Sequence, residues 1–452
     1  MNIIISGCGK IGTTLVDALS SEGHDITVID KDAKVIQEIT NVYDVMGVVG
    51  NGTDCEPLEE ANVSKARLFI AVTGSDELNM LSCYIARKMG AKHTIARIRN
   101  PEYNDDSLGF LRHHLNLSMA INPEMLAADE VFNVLKLPSA SKIETFSKRN
   151  FELIEMVLKE NSAIDGMKLS EIRAKRKENF LIGVVRRGDD VYIPDGNFVL
   201  KSGDRIGLMT SVADVARLLK SFAQTQKKAR NIMILGASKT AYYLTKHLLN
   251  TGNNVTVIEK NLDRCEKFSE DLPKAVIIHG DGAQQELLLE EGLTSMDAFV
   301  SLTGMDEENI LISYFASTQN VPKVISKVNR KELSALSSRL GLDCIISPRN
   351  VVQDLVLKYV RALDNSRGSN IETLYKVMDG KAEAIEFNVR PELDFLGIPL
   401  KELNIKPNIL VAGIIRGRKI IIPAGDDYIS ANDKVVVLST DTGLQDLSDI
   451  LL

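Results

Sequence analysis

Residues 2–12 read NIIISGCGKIG, an apolar run followed by glycines at 7, 9 and 12. This is the spacing expected where a β-strand turns directly into a helix whose N-terminus receives a pyrophosphate. Gly7 permits the tight turn, Gly9 lets the backbone approach the phosphates, and Gly12 allows the helix to pack closely on the strand. Cys8, Lys10 and Ile11 complete the loop. Free N–H groups and the positive end of the helix dipole would face the anion. The next apolar run, DITVID, ends in Asp30, 21 residues beyond Gly9. A carboxylate there accepts hydrogen bonds from an adenosine ribose and repels a 2′-phosphate, so NAD is favoured over NADP. The bland alternative is a doubly wound domain that keeps the loop without a ligand.

Outward from this loop the pattern alternates apolar strands with helical stretches. Strands are expected at 2–6, 25–30, 44–49, 68–73, 94–98 and 117–121, a parallel sheet covered on both faces. Ligands of such sheets lie beyond the carboxyl ends of the strands. The strand tips therefore add Asn51, Gly52 and Thr53 after the third strand, and Thr73 and Gly74 after the fourth. Asp76 and Glu77 read equally well as site residues or as first-turn acids complementing a helix dipole. In ARIRN, period-two alternation puts Arg97 and Arg99 on one face, and Arg97 is a candidate phosphate clamp.

The whole pattern occurs twice. Gly7 and Gly236, and Asp30 and Glu259, stand 229 residues apart; Gly74 and Gly304, and Asn79 and Asn309, stand 230 apart. The second loop, GASKTA, keeps Gly236 but has Ser238 and Ala241 where the first has its second and third glycines. Ala is permitted at the third position; Ser at the second crowds the backbone approach. The second candidate set is Gly236, Ala237, Ser238, Lys239, Thr240, Glu259, Thr303, Gly304 and Lys327. It is expected to bind a nucleotide weakly, bind a different one, or stand vacant.

Each half splits again. FELIEMVL, NFLIGVVRRG, DVYIPDG and RIGLMT read as short strands, with RRGDD a hairpin tip and SVADVARLLKS a closing helix. The expected organisation is a Rossmann domain at 1–140, a small α+β domain at 141–225, a second Rossmann domain at 228–365 and a second small domain at 366–452. The polar stretches SKIETFSKRN, QTQKKAR and DNSRGSN read as linkers.

Composition excludes several classes. Acids outnumber bases, 61 to 54, for a formal charge of −7, so no nucleic-acid partner is expected. Trp is absent and aromatics are 5%, which argues against a base-stacking platform. The start lacks signal-peptide features, and no apolar run reaches the roughly 18 residues of a bilayer span. Five cysteines without a CxxC pair give no disulfide framework and no zinc site. Two YxxxK pairs, Tyr84/Lys88 and Tyr242/Lys246, mimic a reductase proton relay but lack its serine and its place by a substrate. No histidine of one half recurs in the other, whereas a duplicated enzyme should duplicate its base. No catalytic residue and no metal ligand is assigned.

The order GxGxxG, Asp30, VTGSDELNM and ARIRNPEY, followed by a small β-rich domain and repeated once, resembles the TrkA family, the regulatory subunits of Trk potassium-uptake systems. The resemblance spans the chain as tandem RCK-N (TrkA-N) and RCK-C (TrkA-C) domains. It implies a cytoplasmic protein, peripheral at the inner face of the cell membrane. It also implies a homo-oligomeric ring, a tetramer, beneath a potassium-translocating TrkH-like subunit. Such proteins bind NAD+ or NADH and the adenine nucleotides ATP and ADP, and catalyse no reaction. The alternative function is an NAD-dependent oxidoreductase, against which a small domain of about 75 residues leaves little room for a substrate lobe. A third is a redox-sensing regulator acting on DNA or another transporter.

Overall fold

The structure, a computed structural model, describes residues 1–101, 103, 105–137, 139–146, 151–160, 162–176, 178–222, 228–365, 370–441 and 443–452. The chain divides into two compact units. One consists of Met1–Glu130, Ser238–Lys246 and Ile346–Leu357; the other of Val131–Ala237, His247–Ile345 and Lys358–Leu452.

In the first unit, β1 (Asn2–Ser6), β2 (Asp25–Asp30), β3 (Met46–Val49), β4 (Leu68–Ala71), β5 (His93–Arg97) and β6 (Met119–Ile121) form one sheet in the order β3-β2-β1-β4-β5-β6. All pairings are parallel. Ile3, Ile4 and Ile5 of β1 are all buried, as a strand covered by helices on both faces requires. The strand order reverses between β1 and β4, which opens a crevice at their carboxyl ends. β4 stops at Ala71, two residues earlier than expected. The Thr73 N–H bonds the Asn79 side chain at 2.8 Å instead of a neighbouring strand.

In the second unit, β7 (Lys142–Phe146), β8 (Phe151–Val157), β9 (Phe180–Arg187), β10 (Asp190–Tyr192) and β11 (Arg205–Ser211) form an antiparallel sheet, order β10-β9-β11-β8-β7. The hairpin at RRGDD is present: Arg187 pairs with Asp190 around Gly188. β7 corrects the linker expectation, because Lys142–Phe146 pairs with β8 from Ile143↔Ile154 to Phe146↔Phe151. It is an edge strand, and Lys142 and Glu144 form an ion pair at 2.6 Å. Edge strands commonly carry charge, and here it disguised the strand as a linker. The helix Leu169–Lys175 was not expected either.

The repeat then returns. β12 (Asn231–Leu235), β13 (Asn254–Glu259), β14 (Val276–His279), β15 (Ala298–Ser301), β16 (Lys323–Lys327) and β17 (Ile345–Ile346) take the order β14-β13-β12-β15-β16-β17. They are followed by β18 (Ile371–Val377), β19 (Ala382–Asn388), β20 (Ile409–Arg416), β21 (Lys419–Ile421) and β22 (Lys434–Ser439), order β18-β19-β22-β20-β21. Phe146, Phe151 and Leu153 share one buried cluster with Met378, Ala384 and Leu438, so the two antiparallel sheets have a common core. Asp364 and Asn365, expected in a linker, end the helix Pro348–Asn365. The linker readings at 147–150, 224–227 and 366–369 lie outside the described residues.

Candidate nucleotide sites

The first loop divides its three glycines among three physical tasks. Gly7 has φ +96°, and a Cβ there would stand 2.7 Å from the Thr73 amide nitrogen. A Cβ on Gly12 would fall 2.0 Å from the Gly7 carbonyl oxygen, so helix and loop close only with glycine there. Gly9 differs: its backbone is extended, and a Cβ would meet no atom of the chain within 4 Å. The protein's own packing does not require glycine at position 9.

Gly9 is also the N-cap of the helix Lys10–Ser21, and no side chain caps it. Gly9 and Lys10 are exposed, Ile11 is half-buried and Cys8 is buried. The Cys8 N–H donates to Asp30 Oδ2 at 2.7 Å and the Asp32 N–H to Asp30 Oδ1 at 3.0 Å. Asp30 thus fastens the loop to the end of β2. A carboxylate offers about four acceptor positions, which leaves it capacity for further donors. Burial, and then the Asp30 charge, push the Cys8 thiol up to about 12.

The other strand tips close on the same loop. A Cβ on Gly52 would lie 2.1 Å from Ser6 Oγ at the end of β1. Thr53 donates its N–H to Asn51 Oδ1 at 3.3 Å. Gly74 is exposed at the tip of β4. Arg97 Nη2 donates to the Thr73 carbonyl, while its Nε is buried without a partner. Burial, and then the neighbouring Arg99 charge, hold the Arg97 guanidinium below its usual value. Arg99 lies past the end of β5, yet its guanidinium reaches the Gly74 carbonyl at 3.2 Å.

Sequence reasoning missed Asn79 and left Asp76 open between a site residue and a first-turn acid, and these two hold the tips together. Asn79, fully buried, accepts from the Thr73 N–H at 2.8 Å and the Thr73 hydroxyl at 2.7 Å through Oδ1. Its Nδ2 donates to the Thr73 and Arg97 carbonyls at 3.3 and 2.9 Å. Asp76 accepts the N–H groups of Arg99 and Asn100, both at 2.8 Å. It is therefore a clamp on the segment after β5, and Ser75 does the capping by accepting the Leu78 N–H at 3.2 Å. The available signal was the repeat itself, since Asn309 and Asp306 recur at the matching positions.

The second set reproduces this scaffold. Gly236 has φ +91°, and the Ala237 N–H donates to Glu259 Oε2 at 2.6 Å. The Asn261 N–H donates to Glu259 Oε1 at 2.8 Å. Asn309 joins Thr303 to the Lys327 carbonyl, and Asp306 accepts from the Asn329 and Arg330 N–H groups at 2.9 Å. Lys327 Nζ donates to the Leu302 carbonyl at 3.3 Å, and Gly304 is exposed. Ser238 is where the copies part: its hydroxyl accepts the Ala241 N–H at 3.3 Å, capping a helix start that Gly9 leaves uncapped. Lys239 is exposed and Thr240 buried.

The first set fits a nucleotide on three observations. There is open space at the Gly9 Cβ position, an uncapped helix start beside it, and a buried Arg97 Nε without a partner. Among the described residues no cluster of His, Cys, Asp or Glu could hold a metal ion. Lys88 lies over the Tyr84 ring at 5.5 Å from its centroid.

The TrkA-N domain model matches residues 3–116 and 232–348, and the TrkA-C domain model matches 153–223 and 384–452. The chain belongs to the TrkA family. The "Trk system potassium uptake protein TrkA homolog" of Archaeoglobus fulgidus is 32% identical over 452 residues, covering 100% of each chain. The "Trk system potassium uptake protein TrkA" of Haemophilus influenzae is 29% identical over 449 residues, covering 98% of this chain and 96% of that one. Among solved structures, the "GsuK channel bound to NAD" superposes with TM-score 0.63 at 16% identity, covering 97% of this chain and 77% of that chain. The "GsuK bound to ADP" structure gives 0.51 at 14%, covering 80% and 69%. At these identities the structural likeness is one of fold. The TrkA relatives are potassium-uptake proteins rather than enzymes, and the oxidoreductase alternative is set aside. Among the described residues of this TrkA-family chain, no helix is long and apolar enough to cross a membrane.

Proposed function

We propose that this chain is the nucleotide-sensing regulatory subunit of a potassium-uptake system, working at the inner face of the cell membrane on a potassium-translocating, TrkH-like partner. The observation that carries the reading is Gly9, a glycine that the chain's own packing does not need, set at an uncapped helix start. The names of the family relatives supply potassium uptake. The NAD-bound and ADP-bound channels of similar fold suggest the ligand class.

In this reading the first TrkA-N domain holds NAD. The N–H groups at the start of the helix Lys10–Ser21 bind the pyrophosphate. Asp30 accepts from the adenosine ribose while it keeps the loop latched. Arg97 supplies positive charge at the tip of β4, and Asn51, Gly52, Thr53, Thr73 and Gly74 wall the crevice. When bound, NAD supplies one property to this chain: a charge that differs between its oxidised and reduced forms. ATP and ADP differ by charge as well. The second set takes a nucleotide less readily, because Ser238 Oγ already accepts an N–H of its helix start.

Regulation then follows from differential binding. A ligand shifts a conformational equilibrium only by its free-energy difference between the states, typically about 1–3 kcal/mol per site. A ring of four chains would multiply that bias, with the TrkA-C domains joining or relaying between neighbours. Calorimetry with NAD+, NADH, ADP and ATP on the full chain tests binding. Potassium flux through the co-purified membrane partner tests regulation. No heat of binding from any of the four, or steady consumption of NADH, would overturn the reading.

A further inference from the structure

The segment Ser238–Lys246 belongs to the compact unit built around Met1–Glu130. It carries the first turns of the helix Lys239–Asn250, which follows the second glycine loop directly. The contact that matters there is made by Tyr243. Its hydroxyl accepts from Asn122 Nδ2 at 2.9 Å and donates to the Arg99 carbonyl at 3.4 Å. Neither partner is idle. Asn122 Oδ1 accepts the Met125 N–H at 3.0 Å, at the start of the helix Pro123–Lys136. Arg99 gives its N–H to Asp76 and its guanidinium to the Gly74 carbonyl, and stands 3.6 Å from Glu124. From the Tyr243 hydroxyl to Gly74, a lining residue of the first candidate site, the path therefore runs through one residue, Arg99.

We propose that Tyr243 is a positioning residue that couples the two nucleotide sites of one chain, an inference that rests on the reading that both TrkA-N domains take nucleotides. Two features favour it over a packing role. Tyr243 lies one helical turn beyond Lys239, so the turn that bears the second loop also bears the hydroxyl. The repeat also places Thr14 at the matching position of the first half, and the Thr14 hydroxyl bonds the Lys10 carbonyl of its own helix at 2.9 Å. The first half's helix thus spends the matching hydroxyl on its own backbone, whereas Tyr243 spends its hydroxyl on Asn122 and Arg99. A ligand that reorients the start of the second helix moves the Tyr243 hydroxyl and, through the Arg99 main chain, the Asp76–Gly74 corner. Thermodynamic reciprocity requires the first site to act back on the second by the same factor.

The test is a double-mutant cycle on the full-length chain with NAD+ as the calorimetric probe. The first site is identified as the binding event that Asp30→Ala removes, and Glu259→Ala disables the second. With Tyr243 present, Glu259→Ala should shift first-site affinity by about fivefold or more. In the Tyr243→Phe background the same change should shift it by less than about twofold. Asn122→Ala should reproduce the loss of coupling. A purely structural Tyr243 would weaken binding equally in both backgrounds, and that result overturns the inference, as does a Glu259→Ala effect absent from wild type. A wild-type chain that takes up no NAD+ sinks the proposed function itself, a different and recognisable outcome.

Discussion

The carboxylate of Asp30 accepts the backbone N–H of Cys8 at 2.7 Å. One side chain thereby sets the shape of the glycine loop, and in the proposed function it also accepts from the ribose. Asp30→Ala should lower NAD affinity at least tenfold, about 1.4 kcal/mol. It should also cost about 1–3 kcal/mol of stability, because the Cys8 and Asp32 N–H groups lose their acceptor. Asp30→Asn keeps one acceptor oxygen and removes the charge that repels a 2′-phosphate. It should therefore narrow the preference for NAD over NADP with a smaller loss of melting temperature. Calorimetry with both dinucleotides, paired with thermal unfolding, reads the two effects separately.

Gly9 and Gly12 should separate binding from folding. At Gly9 the backbone is extended and a Cβ meets open space. Gly9→Ala should leave stability within about 0.5 kcal/mol of wild type while reducing nucleotide affinity at least tenfold. At Gly12 a Cβ would lie 2.0 Å from the Gly7 carbonyl oxygen. Gly12→Ala should cost about 3 kcal/mol, as overpacking against backbone does. Undiminished NAD binding by Gly9→Ala would remove the main support for a ligand in this loop.

How much of this was legible in the sequence depended on what the residues face. Apolar strands buried on both sides, such as Ile3–Ile5, announce themselves, and the repeat doubled every signal. β7 did not, because its charged edge-strand face reads as a polar connector. Asn79 and Asp76 were visible as repeated letters but not as clamps. Their partners, the Thr73, Arg97, Arg99 and Asn100 main chains, come from strand tips that only the folded sheet brings together. Ser238 was read as a crowded glycine position. Its use as a cap depends on hydroxyl geometry that residue type does not specify.

The cysteines should sort by burial. Cys8 is 3% exposed with its thiol pushed up to about 12, and burial raises the Cys83 thiol as well. The thiolate is the reactive form, so raising the pH from 7 to 9 leaves both protonated and unreactive. Cys55 is exposed. Alkylation of the native chain followed by peptide mass mapping should label Cys55 first, and Cys8 and Cys83 only after denaturant opens the first unit. Labelling of Cys8 at the rate of Cys55 in the native chain would contradict the closed loop.

Asn79 offers the sharpest test of the scaffold, because its amide both accepts and donates. Oδ1 takes the Thr73 N–H and hydroxyl, and Nδ2 gives to the Thr73 and Arg97 carbonyls. Asn79→Ala strands these buried groups and should cost about 1–3 kcal/mol for each one left unpaired, with a matching loss at Asn309→Ala. Asn79→Asp is more informative. An ionised aspartate keeps the accepting side but sets negative charge against two carbonyl oxygens, so the folded chain favours the protonated form and the carboxyl pKa rises above its unfolded value. The protonated acid can still donate once. Stability held by that form is present at low pH and is lost as the pH climbs through the raised pKa. Relative to wild type, Asn79→Asp should therefore be less destabilised at pH 5 than at pH 8. Thermal or denaturant unfolding at the two values decides it, and a deficit that grew towards low pH would show that the donating side of Asn79 does not hold the β4 and β5 tips together.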